Sequence, residues 1–128
     1  MGYLIDTHIF LWFISGDKKL PKGIKQKIEN INLPCYISIA SFWEITIKKQ
    51  LGKLDSKFSL KELFQYAENN RIDIIPIAFD HLNHLSKLPY IHSDPFDRLI
   101  VSQCISEGLI LLSVDDTLSN YKLKIERK

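Results

Sequence analysis

Short apolar runs alternate with longer segments of helical periodicity along this chain, and this alternation limits its fold more than any other feature. The apolar runs predict five β-strands, at 3–5, 35–37, 72–77, 109–113 and 123–125. The segments between them predict helices at about 7–14, 21–30, 38–51, 59–70, 79–88, 94–108 and 116–121. Such an order predicts an α/β fold in which helices flank both sides of a central, mostly parallel sheet.

The helix that opens at Asp94 has the clearest predicted boundaries. Asp94 suits the N-cap and Pro95 suits the first helical position, while Gly108 marks the other end. Asp97 then lies three residues after the cap, where an acid interacts favourably with the helix dipole. The continuous apolar run that follows, at 109–113, is typical of a strand that is buried on both faces.

The composition is that of a folded protein with one core. The chain has 128 residues, and we expect a single domain spanning 1–128. The net charge of +2 is too small to indicate nucleic-acid binding by itself. Cys35 and Cys104 both lie in apolar runs without a CxxC motif, which indicates buried thiols rather than a zinc site.

The N-terminal segment is apolar but lacks the pattern of a signal peptide. Asp6 and His8 interrupt it, and it has neither a basic start nor a small-residue cleavage site. No stretch of the sequence is long enough to span a bilayer. We therefore expect a cytoplasmic protein.

Polar residues, most of them acidic, recur where the predicted strands end. In open α/β sheets, binding sites form beyond the carboxyl ends of the strands, so these positions are candidates for one shared site. They are Asp6 after the first strand, Glu44 two turns into the helix after the second, Asp97 near the start of the helix before the fourth, and Ser113, Asp115 and Asp116 after the fourth.

If these acids converge, they need a cation. Two carboxylates about 4 Å apart repel by roughly 4 kcal/mol at an effective dielectric near 20. Either their pKa values rise until they are neutral, or a divalent ion lies among them. Oxygen ligands favour a hard cation, Mg²⁺ or Mn²⁺, which can lower the pKa of a water and stabilise charge on a phosphate.

Each acid also has a purely structural explanation. Asp6 could cap the first helix, and the pair 115–116 could cap the last one. Glu44 lies four residues before Lys48, so the two could form an ion pair on a helix surface, although its place after Phe42 and Trp43 in an apolar segment favours partial burial. The helix start at Asp94 would by itself account for both Asp94 and Asp97. Convergence is therefore not established by any one of these signals.

Four sequence segments, taken in order, resemble one family. They are YLIDTH at 3–8, SFWEI at 41–45 continuing to LGKL at 51–54, HSDPFDRLI at 92–100, and LLSVDD at 111–116. In these segments the chain resembles the PIN-domain ribonucleases, and especially the VapC-type toxins of bacterial toxin–antitoxin pairs. The resemblance extends over nearly the whole chain, and it implies a PIN-like fold with a parallel sheet flanked by helices.

The resemblance also implies an activity, that of an endoribonuclease dependent on Mg²⁺ or Mn²⁺. The family's acidic quartet corresponds to Asp6, Glu44, Asp97 and Asp115. Asp6, Asp97 and Asp115 would bind the metal directly or through water, and Glu44 would complete the shell or orient the water that attacks the phosphodiester. The supporting residues would be Thr7, Asp94, Ser113, which orders the site, and Asp116.

The partners implied by the resemblance are an RNA substrate, a second copy of the chain in a homodimer, and a cognate antitoxin that blocks the site. RNA would approach over cationic side chains, for which the candidates are Lys48, Lys53 and Arg98. The candidates to line an antitoxin groove are Trp12, Phe13, Phe42 and Trp43, although core positions explain at least two of these four equally well.

Two other function classes remain open. A phosphoreceiver-like domain also gathers acids around Mg²⁺, and Asp80 could be its phosphorylated residue. Such a domain needs a lysine after the last strand, however, and none directly follows 109–112. A catalytically inactive relative would serve only as a protein-interaction domain, but the intact acidic quartet argues against this interpretation.

Overall fold

The computed structural model describes residues 2–54 and 56–128, and these fold into a sheet covered by helices. In chain order the elements are β1 (Tyr3–Ile5), α1 (Thr7–Ser15), α2 (Lys22–Glu29), β2 (Cys35–Ser38), α3 (Ile39–Gln50), α4 (Leu60–Asn69), β3 (Ile72–Ile75), α5 (Phe79–Ser86), α6 (Pro95–Glu107), β4 (Ile110–Leu112), a 3₁₀ helix (Asp116–Asn120) and β5 (Ile125–Glu126).

The strands form one sheet in the order β3-β2-β1-β4-β5, and every pair is parallel. The predicted α/β class with a parallel sheet is therefore confirmed. From β1 the chain first adds β2 and β3 on one side, and it then crosses back to add β4 on the other. The strand order thus reverses beside β1, and in sheets of this kind the crevice at such a reversal is where ligands bind.

The two faces of the sheet are covered by two separate cores. Successive side chains of a strand point to opposite faces, so Tyr3 and Ile5 of β1 enter the first core and Leu4 enters the second. Helices α1 to α4 cover the first face, whereas α6 and the segment around the 3₁₀ helix cover the second. The prediction that strand 109–113 is buried on both faces is confirmed, since Leu111 and Leu112 are both fully buried.

Most predicted helix boundaries are confirmed, with small differences. Helix α6 has Asp94 as its N-cap and Gly108, with a φ of 66°, at its C-terminal end. The predicted strand 72–77 ends at Ile75, immediately before Pro76, which has no amide hydrogen to donate. The last helical segment is a 3₁₀ helix rather than an α-helix.

The remaining sequence-based expectations concern the thiols and the membrane. Cys35 and Cys104 are free and buried, as predicted, and burial raises the pKa of the Cys35 thiol to about 12. Among the described residues, no helix combines the length and the apolar character needed to cross a bilayer.

Leu111 and Leu112 allow the two-sided burial of the sheet to be tested. We expect Leu111→Ala and Leu112→Ala each to lower the free energy of unfolding by about 2–5 kcal/mol, the usual effect of truncating a buried leucine. The measurement is urea-induced unfolding. The exposed Lys25→Ala is the control, expected to lie within about 0.5 kcal/mol of the wild type. If one leucine variant behaved like the control, one face of the sheet would be open to solvent.

Candidate metal centre

The candidate site lies at the carboxyl ends of β1 and β4, beside the reversal in strand order. Asp6 directly follows β1, and its backbone N–H donates to the carbonyl oxygen of Leu112 at 3.1 Å. The start of α1 is therefore attached to the end of β4. Ser113 and Asp115 follow β4 within three residues, so two distant parts of the chain meet at this edge.

Asp6 is both a helix cap and a member of this site. Its side chain is 5% exposed, and Oδ1 accepts a hydrogen bond from the Ile9 amide at 2.9 Å. Burial raises the pKa of Asp6, and the charge of Asp115 raises it further. Hydrogen bonds with the Ser113 hydroxyl and the Ile9 amide oppose this rise. The predicted capping role is confirmed, and it does not exclude a role at the site.

Asp97 is the acid with the most revealing electrostatics. Asp94 accepts hydrogen bonds from the amides of Phe96 at 2.8 Å and of Asp97 at 3.0 Å, which fixes Asp97 in the first turn of α6. Burial raises the pKa of Asp97 to about 7, and the charges of Asp94, Asp6 and Glu44 contribute to the rise. Acids from separate parts of the sequence thus act on the same carboxylate.

His92 completes the tightest group of possible ligand atoms in the described part of the chain. One atom from each of His92, Asp97 and Asp115 lies within 4.8 Å of the others. The Nε2 atom of His92 is 3.1 Å from Asp115 Oδ2 and 3.5 Å from Asp97 Oδ2. His92 was not among the predicted site residues. The one sequence signal for it was its place at the head of the segment HSDPFDRLI.

Glu44 is held by two donors. The Thr7 hydroxyl donates to Glu44 Oε1 at 2.7 Å, and it lies 2.9 Å from the Ser41 hydroxyl. Lys48 Nζ donates to Glu44 Oε2, also at 2.7 Å. The expected ion pair of Glu44 and Lys48 therefore exists, but Glu44 is only 2% exposed, so the pair is not confined to the helix surface.

Lys48 places a protein positive charge beside the acids of the site. Burial alone would lower the pKa of Lys48, but its hydrogen bond to Glu44 and the charges of Glu44, Asp94 and Asp97 outweigh this effect and raise the pKa. Lys48 therefore stays protonated at neutral pH. It offsets part of the negative charge that the carboxylates bring together.

Ser113 and Asp115 order the end of β4. The buried Ser113 hydroxyl accepts a hydrogen bond from the Asp115 amide at 3.1 Å. Oδ1 of Asp115 caps the 3₁₀ helix by accepting from the Thr117 amide at 2.9 Å, which confirms the expected capping role of the 115–116 pair. The side chain of the neighbouring Asp116 is 84% exposed and forms an ion pair with Arg127, so it lies outside the group.

Three other residues singled out in the sequence, Arg98, Lys53 and Asp80, lie outside the group of acids. Arg98 Nη2 donates to the Leu88 carbonyl at 3.2 Å, and its guanidinium lies 4.4 Å from the centre of the Tyr90 ring. Lys53 is exposed beyond the end of α3. Asp80, the residue on which a phosphoreceiver interpretation depends, is exposed in the first turn of α5 and does not follow a central strand.

The four aromatic residues proposed for an antitoxin groove are divided among several places. Trp12 lines a groove of about 520 Å³ together with Leu11, Leu54, Phe58 and Leu63. Phe42 is a core residue, as the alternative predicted. Phe13 lines a different cavity. The half-exposed Trp43 packs edge-on against Phe96, with 5.1 Å between the centres of the two rings.

The donor set of the site fits a hard divalent cation. Asp6, Asp97 and Asp115 contribute carboxylate oxygens, the ligands that Mg²⁺ and Mn²⁺ prefer. Burial and the charges of Asp94, Asp6 and Glu44 raise the pKa of Asp97, so a nearby cation would favour its ionised form. Neither cysteine lies close enough to join the group of possible ligand atoms among the described residues.

Comparisons with known proteins identify the family and the fold of the chain. The PIN domain family matches residues 3–124. No curated protein sequence matches the chain significantly. Among solved structures, the chain is similar to VapBC2 from Rickettsia felis bound to a promoter DNA fragment, at 20% identity and a TM-score of 0.74 over 98% of both chains.

Two further solved structures have the same fold. VapBC-1 from nontypeable Haemophilus influenzae is 17% identical, with a TM-score of 0.70 over 98% of this chain and 97% of that one. A toxin–antitoxin complex from Klebsiella pneumoniae is 16% identical, with a TM-score of 0.65 over 98% and 96%. Identities this low establish a shared fold only. The match over residues 3–124 establishes more, and the chain belongs to the PIN domain family.

Proposed function

We propose that this protein is a divalent-cation-dependent endoribonuclease and the VapC-type toxin of a toxin–antitoxin pair. The observation that carries the proposal is the proximity of Asp97 and Asp115, which offer oxygens within 4.8 Å of each other and of a His92 nitrogen. Asp6 lies near enough for charge effects on both sides: its charge contributes to the raised pKa of Asp97, and the charge of Asp115 contributes to the raised pKa of Asp6. Membership of the PIN family and likeness in fold to VapBC structures support it. We propose one PIN-like domain over residues 1–128, acting in the cytoplasm, where its RNA substrate is found.

The carboxylates of Asp6, Asp97 and Asp115 would hold Mg²⁺ or Mn²⁺. When bound, such an ion lowers the pKa of a water and stabilises negative charge on a phosphate. Asp6 and Asp115 each give one oxygen to a helix cap, at 2.9 Å in both cases, so their positions are fixed by the backbone. The chain thus presents its ligands in place before an ion binds, which limits reorganisation.

Glu44 would orient the attacking water. Thr7 and Lys48 each donate to one oxygen of Glu44, and these contacts fix the plane of its carboxylate. Each oxygen keeps a second acceptor site for a water proton. Ser113 would keep Asp6 and Asp115 at a constant separation, because its hydroxyl contacts both residues.

RNA would approach over Lys48 and Lys53. The side chain of Lys48 is 36% exposed, so its ammonium reaches both Glu44 and solvent. Arg98 is engaged with Leu88 and Tyr90. We propose that Arg98 holds the segment that leads to His92. An RNA contact at this place would be made by the exposed Tyr90 ring, on which the Arg98 guanidinium lies.

The proposed protein partners are a cognate antitoxin and a second copy of the chain. The groove of about 520 Å³ beside α1 is apolar along Leu11, Trp12 and Phe58. Two lysines, Lys19 and Lys57, and one acid, Asp17, also line it, so cationic side chains outnumber acidic ones. These features suit an antitoxin segment that carries both apolar and acidic side chains. Likeness in fold to a toxin–antitoxin complex from Klebsiella pneumoniae supports an antitoxin as the partner.

The nuclease proposal predicts that loss of one ligand abolishes RNA cleavage. We expect Asp6→Asn and Asp115→Asn to reduce cleavage of a structured RNA by more than about 100-fold, beyond the loss seen for outer-shell partners of a metal site. Cleavage should require Mg²⁺ or Mn²⁺ and stop in EDTA. Asp80→Asn, which changes an exposed carboxylate on α5, is the matched control and should cleave at the wild-type rate. Equal cleavage by Asp6→Asn or in EDTA would rule out this mechanism.

The raised pKa of Asp97 predicts how the stability of the metal-free protein depends on pH. The folded chain keeps this proton up to about pH 7, whereas the unfolded chain releases it near 3.8. Between these values the folded state binds more protons, so the free energy of unfolding falls as pH rises. The fall is at most about 1.4 kcal/mol per pH unit within this window.

Urea-induced unfolding in EDTA at several pH values from about 4 to about 8 measures this dependence, and the window is set by the two pKa values above. We expect Asp97→Asn to flatten the fall in stability, because the amide does not titrate. Added Mg²⁺ should stabilise the wild type more at the upper end of the range, where the carboxylate is ionised. An identical pH dependence in the wild type and in Asp97→Asn would contradict the prediction.

A further inference from the structure

His92 lies between two of the proposed metal ligands, and its side chain is 16% exposed. Its Nε2 atom is 3.1 Å from Oδ2 of Asp115 and 3.5 Å from Oδ2 of Asp97. Proximity alone is compatible with two roles. The imidazole could be a fourth protein ligand of the same ion, beside Asp6, Asp97 and Asp115, or it could be a hydrogen-bond donor that holds the carboxylates.

The other ring nitrogen of His92 distinguishes these roles. The backbone amide of Asp94 donates to Nδ1 at 3.0 Å. An amide N–H is always a donor, so Nδ1 must offer a lone pair, and the proton of a neutral imidazole is then on Nε2. Nε2 therefore carries an N–H group, which donates to Asp115 Oδ2 at 3.1 Å and lies 3.5 Å from Asp97 Oδ2. While Nδ1 accepts from the Asp94 amide, Nε2 has no lone pair for a metal.

The backbone, rather than the carboxylates, fixes the position of His92. The buried Tyr121 hydroxyl accepts hydrogen bonds from the His92 amide at 2.8 Å and from the Ile91 amide at 3.3 Å. Four residues before His92, the Leu88 carbonyl accepts a hydrogen bond from Arg98 Nη2 at 3.2 Å. The segment before α6 is thus attached to Tyr121 and to Arg98. The position of the imidazole is therefore fixed by the fold, independently of the acids that it contacts.

We propose that His92 is a positioning residue whose Nε2–H holds Asp115 and Asp97 in the arrangement that binds the divalent cation, and that it is not itself a ligand of that cation. The inference rests on the proposed function, because that function assigns the cation to Asp6, Asp97 and Asp115. A donor that binds one carboxylate and lies close to a second limits their repulsion, and it fixes which oxygen of Asp115 stays available.

Two variants separate the two hydrogen bonds of His92. The amide nitrogen of glutamine reaches about as far as Nε2, so His92→Gln keeps a donor toward the acids but loses the acceptor for the Asp94 amide. The carbonyl oxygen of asparagine occupies about the place of Nδ1, so His92→Asn keeps that acceptor but loses the donor. His92→Ala removes both.

The test is Mn²⁺ binding to the full chain, measured by calorimetry, together with urea unfolding to establish that each variant is folded. We expect His92→Asn and His92→Ala to bind Mn²⁺ about 10–100-fold more weakly, the usual loss for a partner that orients metal ligands. His92→Gln should stay close to the wild-type affinity although its urea midpoint is lower. Pulsed electron paramagnetic resonance of the bound Mn²⁺ should detect no coupling to an imidazole nitrogen.

Each contrary result has a distinct meaning. If His92→Asn binds like the wild type while His92→Gln is as weak as His92→Ala, the residue acts only through the backbone, and the proposal is overturned. Equal affinity in all four proteins overturns it too, as does a nitrogen coupling that His92→Ala abolishes. If the wild type itself binds no Mn²⁺, the proposed function fails together with this inference. The results that overturn only the His92 proposal all leave Mn²⁺ binding by the wild type intact. Failure of this proposal is therefore distinguishable from failure of the proposed function.

Discussion

The whole site depends on holding several buried or half-buried carboxylates close together where β1 and β4 end. Asp6, Asp94 and Asp115 each give an oxygen to backbone amides at the start of a helical segment, at distances of 2.8 to 3.0 Å. Such amides carry partial positive charge, which favours an anion. Lys48 adds a full positive charge nearby. These contacts offset part of the repulsion, but burial and the charges of Asp94, Asp6 and Glu44 still raise the pKa of Asp97 to about 7, so its ionised form is disfavoured. A divalent cation is the partner that would favour the ionised form.

The parallel sheet brings the mutually repelling acids to one defined place. Because β1 lies in the centre and the strand order reverses beside it, residues that follow β1 and β4 meet at one edge. Both faces of the sheet are covered by helices, so the strand ends are rigid. The contact between Thr7 and Glu44 then joins α1 to α3 directly beside the acids. In this chain the acidic side chains are thus positioned by strand ends and by hydrogen bonds at the starts of helical segments.

Local patterns in the sequence predicted the strands, the helices and the parallel sheet, because periodicity and caps act over a few residues. They could not decide between capping and ligand roles for Asp6 and Asp115. In the structure these roles are compatible, since a carboxylate has two oxygens and can cap with one. The burial of Glu44 was indicated only by its place after Phe42 and Trp43 in an apolar segment, because its pairing with Lys48 looks the same on a helix surface. His92 was missed because its contact with Asp115 spans 23 residues and depends on the tertiary fold.

The central claim is that folding draws Asp6, Asp97 and Asp115 around one divalent cation. A crystal soaked in Mn²⁺ and measured near the manganese absorption edge tests it most directly. The account predicts one anomalous peak bounded by oxygens of these three carboxylates, with His92 Nε2 facing the carboxylates rather than the ion. Absence of a peak at the ends of β1 and β4, or side chains of Asp6 and Asp115 that point apart, would contradict it.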